Sequence, residues 1–190
     1  MQFLINHNAI MKRLHAGCLV FLVLILTTTS PAFSGDAELT NLSVRNSNDQ
    51  LQVDLTINGI FTEEMKVAVS KGIPISLAFF MLLYEVRDYW LDDKIVSKTA
   101  VHDVKFDVLK KEYRIQRSWE KGIPLVITDF EKARILFSEI KGFDVIPLKR
   151  LKKGKHYQLR VKLEFSDNKV HFTGFPWEFE TDWYTLNFIY

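Results

Sequence analysis

The 190-residue chain has a single cysteine, Cys18, and none after it. Past residue 18 there is no disulfide, no thiolate nucleophile and no cysteine-based zinc site. There is no Gly-x-Ser-x-Gly elbow and no glycine-rich phosphate loop, the local signatures of serine-hydrolase and nucleotide chemistry. The histidines past residue 34 are His102, His156 and His171. None has a second ligand at metal-site spacing except in the adjacent pair His102-Asp103, and neighbours on a strand point to opposite faces. No carboxylate pair is held on one face by its spacing. The expectation is no catalytic residue, no cofactor and no metal, in a protein that is not an enzyme. An excess of charge of one sign is also missing. Of the 25 lysines and arginines, only Lys12 and Arg13 fall within residues 1–34, which carry no acid, so the other 23 balance the 23 acids. A neutral domain lacks the electrostatic footprint of a nucleic-acid binder.

A long apolar run is absent too, and the short one that is present defines a compartment. Lys12 and Arg13 form a positive n-region, residues 18–26 (CLVFLVLIL) an apolar core, and Thr27 to Ser30 a polar stretch closed by Pro31. Ala32-Phe33-Ser34 places small residues at the two positions read by a signal peptidase. This is the pattern of an export signal, with cleavage expected after Ser34. Met11-Lys12-Arg13 is an alternative start to Met1. The alternative fate is an uncleaved inner-membrane anchor, but a spanning helix needs about 20 apolar residues and the core is roughly half that. Cys18 opens the apolar core instead of following it, the wrong side for lipid attachment. The division is a signal peptide at 1–34 and a single domain at 35–190, exported and periplasmic.

The 190-residue chain as a whole is rich in hydrophobics (47%) and aromatics (13%), enough for one core and biased towards strands. Residues 39–44 read as a strand, Asn46 to Asp49 as a turn, and Leu51, Val53, Leu55 and Ile57 alternate with polar residues as a half-buried strand. Residues 62–71 read as a helix capped by Thr62, with Glu63 and Glu64 in its first turn and Gly72 past its end. Residues 75–86 (ISLAFFMLLYEV) form a central strand covered on both faces, followed by a tip at 88–93, a returning strand at 94–108 and a third at 113–119. Residues 123–127 form a short strand. Thr128 and Glu131 have capping-box spacing, which predicts a helix from about 130 to 140 ending at Gly142. Residues 145–148 pair briefly, 157–165 alternate clearly, Asp167-Asn168 turns, and 184–190 form a last strand. The fold class is mainly β: an antiparallel β-sandwich of about eight or nine strands with two short helices. Lys71-Gly72-Ile73-Pro74 recurs as Lys121-Gly122-Ile123-Pro124, but a helix precedes one copy and a strand the other, so the echo reads as shared turn grammar.

Two surface features stand out. Arg87-Asp88-Tyr89-Trp90 sits at the loop tip, and an aromatic tip beside arginine has the composition of a contact surface, which makes Arg87, Tyr89 and Trp90 the candidate partner-binding residues. Lys149, Arg150, Lys152, Lys153 and Lys155 crowd one turn. They either make weak contact with a membrane surface or form a solvated turn whose charges block edge pairing. Trp177 and Trp183 are expected to close the end of the core. Two alternatives stand beside a binding module. Alternation through Tyr184, Leu186, Phe188 and Tyr190 also suits the close of a small eight-stranded outer-membrane barrel, although the helices and the unbroken run at 75–84 argue against it. An envelope hydrolase would need His102 or His171 in a cleft beside a carboxylate.

Several stretches together resemble a bacterial family, domain of unknown function 4390. They are Leu39-Thr40-Asn41-Leu42-Ser43-Val44, Gly72-Ile73-Pro74 before the hydrophobic strand, and Tyr84-Glu85-Val86-Arg87 with Tyr89-Trp90. Later come Lys155-His156-Tyr157-Gln158-Leu159-Arg160-Val161 and Phe179-Glu180-Thr181-Asp182-Trp183-Tyr184. The resemblance covers 38–190. It implies a signal sequence or N-terminal anchor and an accessory role in the envelope, linked to a sensor histidine kinase system. It implies no activity and no site residues. The expected partner is an unknown envelope protein, with no nucleic acid.

Overall fold

The computed structural model describes residues 37–120, 122–165 and 180–190. The signal at 1–34, Cys18, the cleavage after Ser34, His171, Trp177 and the turn at Asp167-Asn168 lie outside those residues. Strand β1 (Glu38–Ser47) returns as β2 (Gln50–Asn58) through Asn48 and Asp49. Both turn residues have positive φ, 50° and 57°, the conformation a tight two-residue hairpin needs and that Asn and Asp tolerate. Helix α1 (Glu63–Ser70) follows, its first turn held by Thr62 Oγ1 accepting from the Met65 amide at 3.3 Å.

Then come β3 (Ile75–Glu85), β4 (Asp93–Asp107), β5 (Glu112–Arg117), β6 (Leu125–Ile127), α2 (Phe130–Phe137), β7 (Glu139–Pro147), β8 (His156–Phe165) and β9 (Tyr184–Ile189). They form two sheets: three strands in the order β1-β2-β7, and six in the order β6-β5-β4-β3-β8-β9. Every pairing is antiparallel.

The position of β3 explains its run of hydrophobic residues. Flanked by β4 and β8, it turns Ile75, Leu77, Phe79, Met81 and Leu83 into the core, while Phe80, Leu82 and Tyr84 are half-buried on the other face. Val53, Leu55 and Ile57 of β2 and Phe143 and Val145 of β7 join the same hydrophobic cluster as Phe79, Met81, Leu159 and Val161. The two sheets therefore share one core, as layers of a sandwich do. Among the described residues, β1, β7, β6 and β9 each have one neighbour only, so the sheets stay open. A closed barrel would give every strand two, and the barrel alternative is set aside on that ground.

The segment after β6 corrects the sequence reading. Asp129, not Thr128, caps α2, accepting from the Lys132 amide at 2.8 Å. The helix stops at Phe137, and Glu139 onward pairs with β2 instead of completing a helix to Gly142. Gly142 has φ +65°. It lies where the β2–β7 register shifts between Val53 and Leu55, and its amide donates to Asp54 Oδ1 at 2.7 Å. What looks like a helix stop is a strand bulge. The repeated Gly-Ile-Pro steps also differ in setting: the first leaves α1 for β3, the second leaves β5 for β6.

Candidate functional site: an aromatic and basic end of the sandwich

Residues 86–92 connect β3 to β4, and their base is braced. The Val86 amide donates to the His156 carbonyl at 2.9 Å. Arg87 Nη2 meets Asp93 at 2.8 Å, and its amide reaches Asp92 Oδ1 at 3.4 Å. Asp92 also faces Arg160 at 3.7 Å, and the Arg160 guanidinium lies 4.5 Å over the Tyr84 ring. Beyond this base Tyr89, Trp90 and Leu91 are 97%, 76% and 82% exposed. Of the three residues singled out in the sequence, Tyr89 and Trp90 stand free in solvent. Arg87 is exposed as well, and its guanidinium pairs with Asp93 at the base of the loop. Leu91 extends the apolar tip, and its signal in the sequence was only its place next to Trp90.

The basic run lies at the same end. β7 and β8 belong to different sheets, so the chain between them crosses the mouth of the sandwich. Its short 3-10 turn (Leu148–Arg150) is tied to the β1–β2 hairpin by the Leu148 amide, which donates to the Asp49 carbonyl at 2.9 Å. Leu151 is buried, and the Lys152 amide donates to the Tyr157 hydroxyl at 2.8 Å. Two contacts fasten the crossover to the tip: Lys152 Nζ to the Glu85 carboxylate at 3.1 Å, and Arg150 Nη2 to the Ile95 carbonyl at 3.5 Å. Gly154 (φ +75°) and Lys155 pair with the Tyr190 backbone. Lys149, Lys153 and Lys155 are exposed there. Ala37 lies at the opposite end, where its carbonyl accepts from the Tyr184 hydroxyl at 3.5 Å.

Among the described residues, His102 and His156 share no site with a metal-binding set of side chains. His102 is wholly buried. Its Nδ1 donates to the Phe137 carbonyl at 2.7 Å, and its ring stacks on Trp119 at 4.8 Å and meets Phe79 edge-on at 5.1 Å. Nε2 has no hydrogen-bond partner. Burial pushes the imidazole down to about 4, with the Arg117 charge adding to the effect, so the ring is neutral near pH 7. Asp103 points to the other face, where Ser76 Oγ donates to it. Across the strands from His102 sits Arg117, 9% exposed, with Nη1 on Glu120 at 2.9 Å and Nη2 on the Leu136 carbonyl at 3.1 Å. Sequence reading missed this buried pair because it depends on the β4–β5 register. His156 is exposed at the start of β8. Trp183 is 44% exposed, 6.0 Å from Lys162 Nζ, and does not close the core.

Among the described residues no group of three His, Asp or Glu side chains is placed to share a metal ion. No helix among them is long and apolar enough to cross a membrane. In comparisons with known proteins, the family model described as a domain of unknown function, DUF4390, matches residues 34–187. Neither a curated protein nor a solved structure matches the chain.

Proposed function

The chain belongs to the DUF4390 family, and from that premise we propose that it is an exported, periplasmic accessory module of the cell envelope that works by binding rather than catalysis. The observation that carries this reading is the braced tip. Three consecutive apolar side chains, Tyr89, Trp90 and Leu91, project into solvent from a loop whose base is held by ion pairs. Exposing such a cluster on a stiff support forfeits burial energy that folding could have recovered, which is the mark of a surface reserved for contact. The signal at 1–34 supplies the route to the envelope. The family resemblance supplies the association with a sensor histidine kinase system, in which the module contacts another envelope component through this end.

The histidine best placed in the fold supports binding over hydrolysis. His102 is sealed between Phe79, Trp119 and Phe137, where no substrate reaches it.

Crosslinking of intact cells followed by recovery of the protein tests the reading. Wild type is expected to bring down a discrete envelope component that Trp90→Ala loses. Turnover of a substrate by the purified protein, with recovery unaffected by Trp90→Ala, would overturn it.

A further inference from the structure

We propose that the aromatic and basic end docks on an anionic lipid bilayer, Trp90 and Leu91 entering the boundary between headgroups and acyl chains while Lys149, Lys153 and Lys155 face lipid phosphates. The proposal rests on the binding-module reading of the same end and names what it contacts.

The shape of the tip suits a bilayer. Tyr89, Trp90 and Leu91 are so exposed that no neighbouring element encloses them. A projecting apolar tip fits a fluid surface that closes around it, whereas protein contacts concentrate in well-packed, desolvated pockets. Chemistry points the same way. Trp and Tyr combine an apolar ring with a polar handle and favour the membrane–water interface, and leucine adds a purely apolar anchor.

Charge complementarity then selects the lipid. Three acids at the base of the tip are paired within the fold: Asp93 with Arg87, Asp92 with Arg160, Glu85 with Lys152. Lys94, Lys149, Arg150, Lys153 and Lys155 have no carboxylate partner among the described residues, and opposing them at this end are Asp49, Asp88 and the carboxylate of Tyr190, whose backbone pairs with Gly154 and Lys155. Cations therefore outnumber acids there, although the sequence past residue 34 is neutral as a whole. The domain is electrically lopsided, and an anionic surface would attract this end and orient it. The ties from Lys152 to Glu85 and from Arg150 to the Ile95 carbonyl hold the cations beside the apolar tip, so both engage one surface together.

The experiment is co-sedimentation of the protein, purified as the cell exports it, with vesicles of phosphatidylcholine alone or of phosphatidylcholine with phosphatidylglycerol. Binding is expected with the anionic vesicles only, and falling as salt is raised. Lys149→Gln and Lys153→Gln should each weaken it about fivefold, and Trp90→Ala about tenfold. Leu109→Ala, at the exposed β4–β5 turn, should leave it unchanged, and unaltered melting temperatures confirm that the variants fold. Equal sedimentation with neutral vesicles, or binding indifferent to Trp90 and both lysines, would overturn the proposal. Capture of a protein by residue 90 without any vesicle binding would also overturn it, yet would leave the binding-module reading standing. Loss of both would remove both.

Discussion

Glu85 and Lys152 lie 67 residues apart in the chain and meet at 3.1 Å at the mouth of the sandwich. Glu85 closes the central strand, and Lys152 belongs to the crossover between sheets. Their contact places the basic turn against the base of the aromatic tip. As an ion pair it is modest, since the lysine side chain is 68% exposed. Its significance lies in position. Lys152→Ala is expected to cost less than about 1 kcal/mol, as urea unfolding would measure.

Core and tip should separate in their response to truncation. Phe79 is fully buried in the shared core, and Phe79→Ala should cost about 3–5 kcal/mol through lost burial and the cavity left behind. Trp90→Ala removes an exposed ring and should change stability by no more than about 0.5 kcal/mol. Denaturant midpoints of the two variants decide this. A large loss from Trp90→Ala would mean that the ring serves the fold and not contact.

Burial of His102 gives the fold a pH dependence whose sign follows from its lowered pKa. Its folded-state pKa is depressed from 6.5 to about 4, chiefly by burial. The unfolded chain therefore takes up the proton first. The stabilising contribution is complete above about pH 6.5, falls as the pH drops towards about 4, and falls no further below that. The full loss is about 3 kcal/mol. His102→Phe keeps an aromatic ring beside Trp119 and removes the titration. Urea unfolding at pH 7 and pH 5 should show a smaller drop for the variant than for wild type. An equal drop would contradict the assignment.

The cap of α2 is a local test of the corrected helix start. Asp129 Oδ1 accepts from the Lys132 amide, so Asp129→Ala should cost about 1 kcal/mol, whereas Thr128→Ala should be close to neutral. Thermal or urea unfolding of the two variants would distinguish them.

Much of the architecture was legible because it is written locally. The alternation in β2 and β8, the Thr62 cap and the doubly covered β3 follow from side-chain period and neighbouring residues alone. Only the end of β7, read as pairing at 145–148, was legible; its first half was not, because a helix and a strand abut across Ser138 and Gly142 imitates a helix stop while serving a bulge. The candidate site was half legible. Tyr89 and Trp90 announce themselves by type, and the lysines by density. Nothing local says that the two lie side by side; that follows from the pairing of β3 with β8. The supporting role of Arg87 likewise depends on where β4 begins.

The export route has its own test. N-terminal sequencing of the protein recovered from cells should begin at Gly35, following cleavage after Ser34. A chain beginning at Met1 or Met11 would show retention as an anchor.

On the proposed function, the aromatic tip and the basic crossover act as one contact surface. Photo-crosslinking in intact cells, with the reactive group placed in turn at residues 90, 153 and 109, tests it most directly. Positions 90 and 153 should capture the same species, and position 109 should not capture it. Different species at 90 and 153, or the same species at all three, would contradict it.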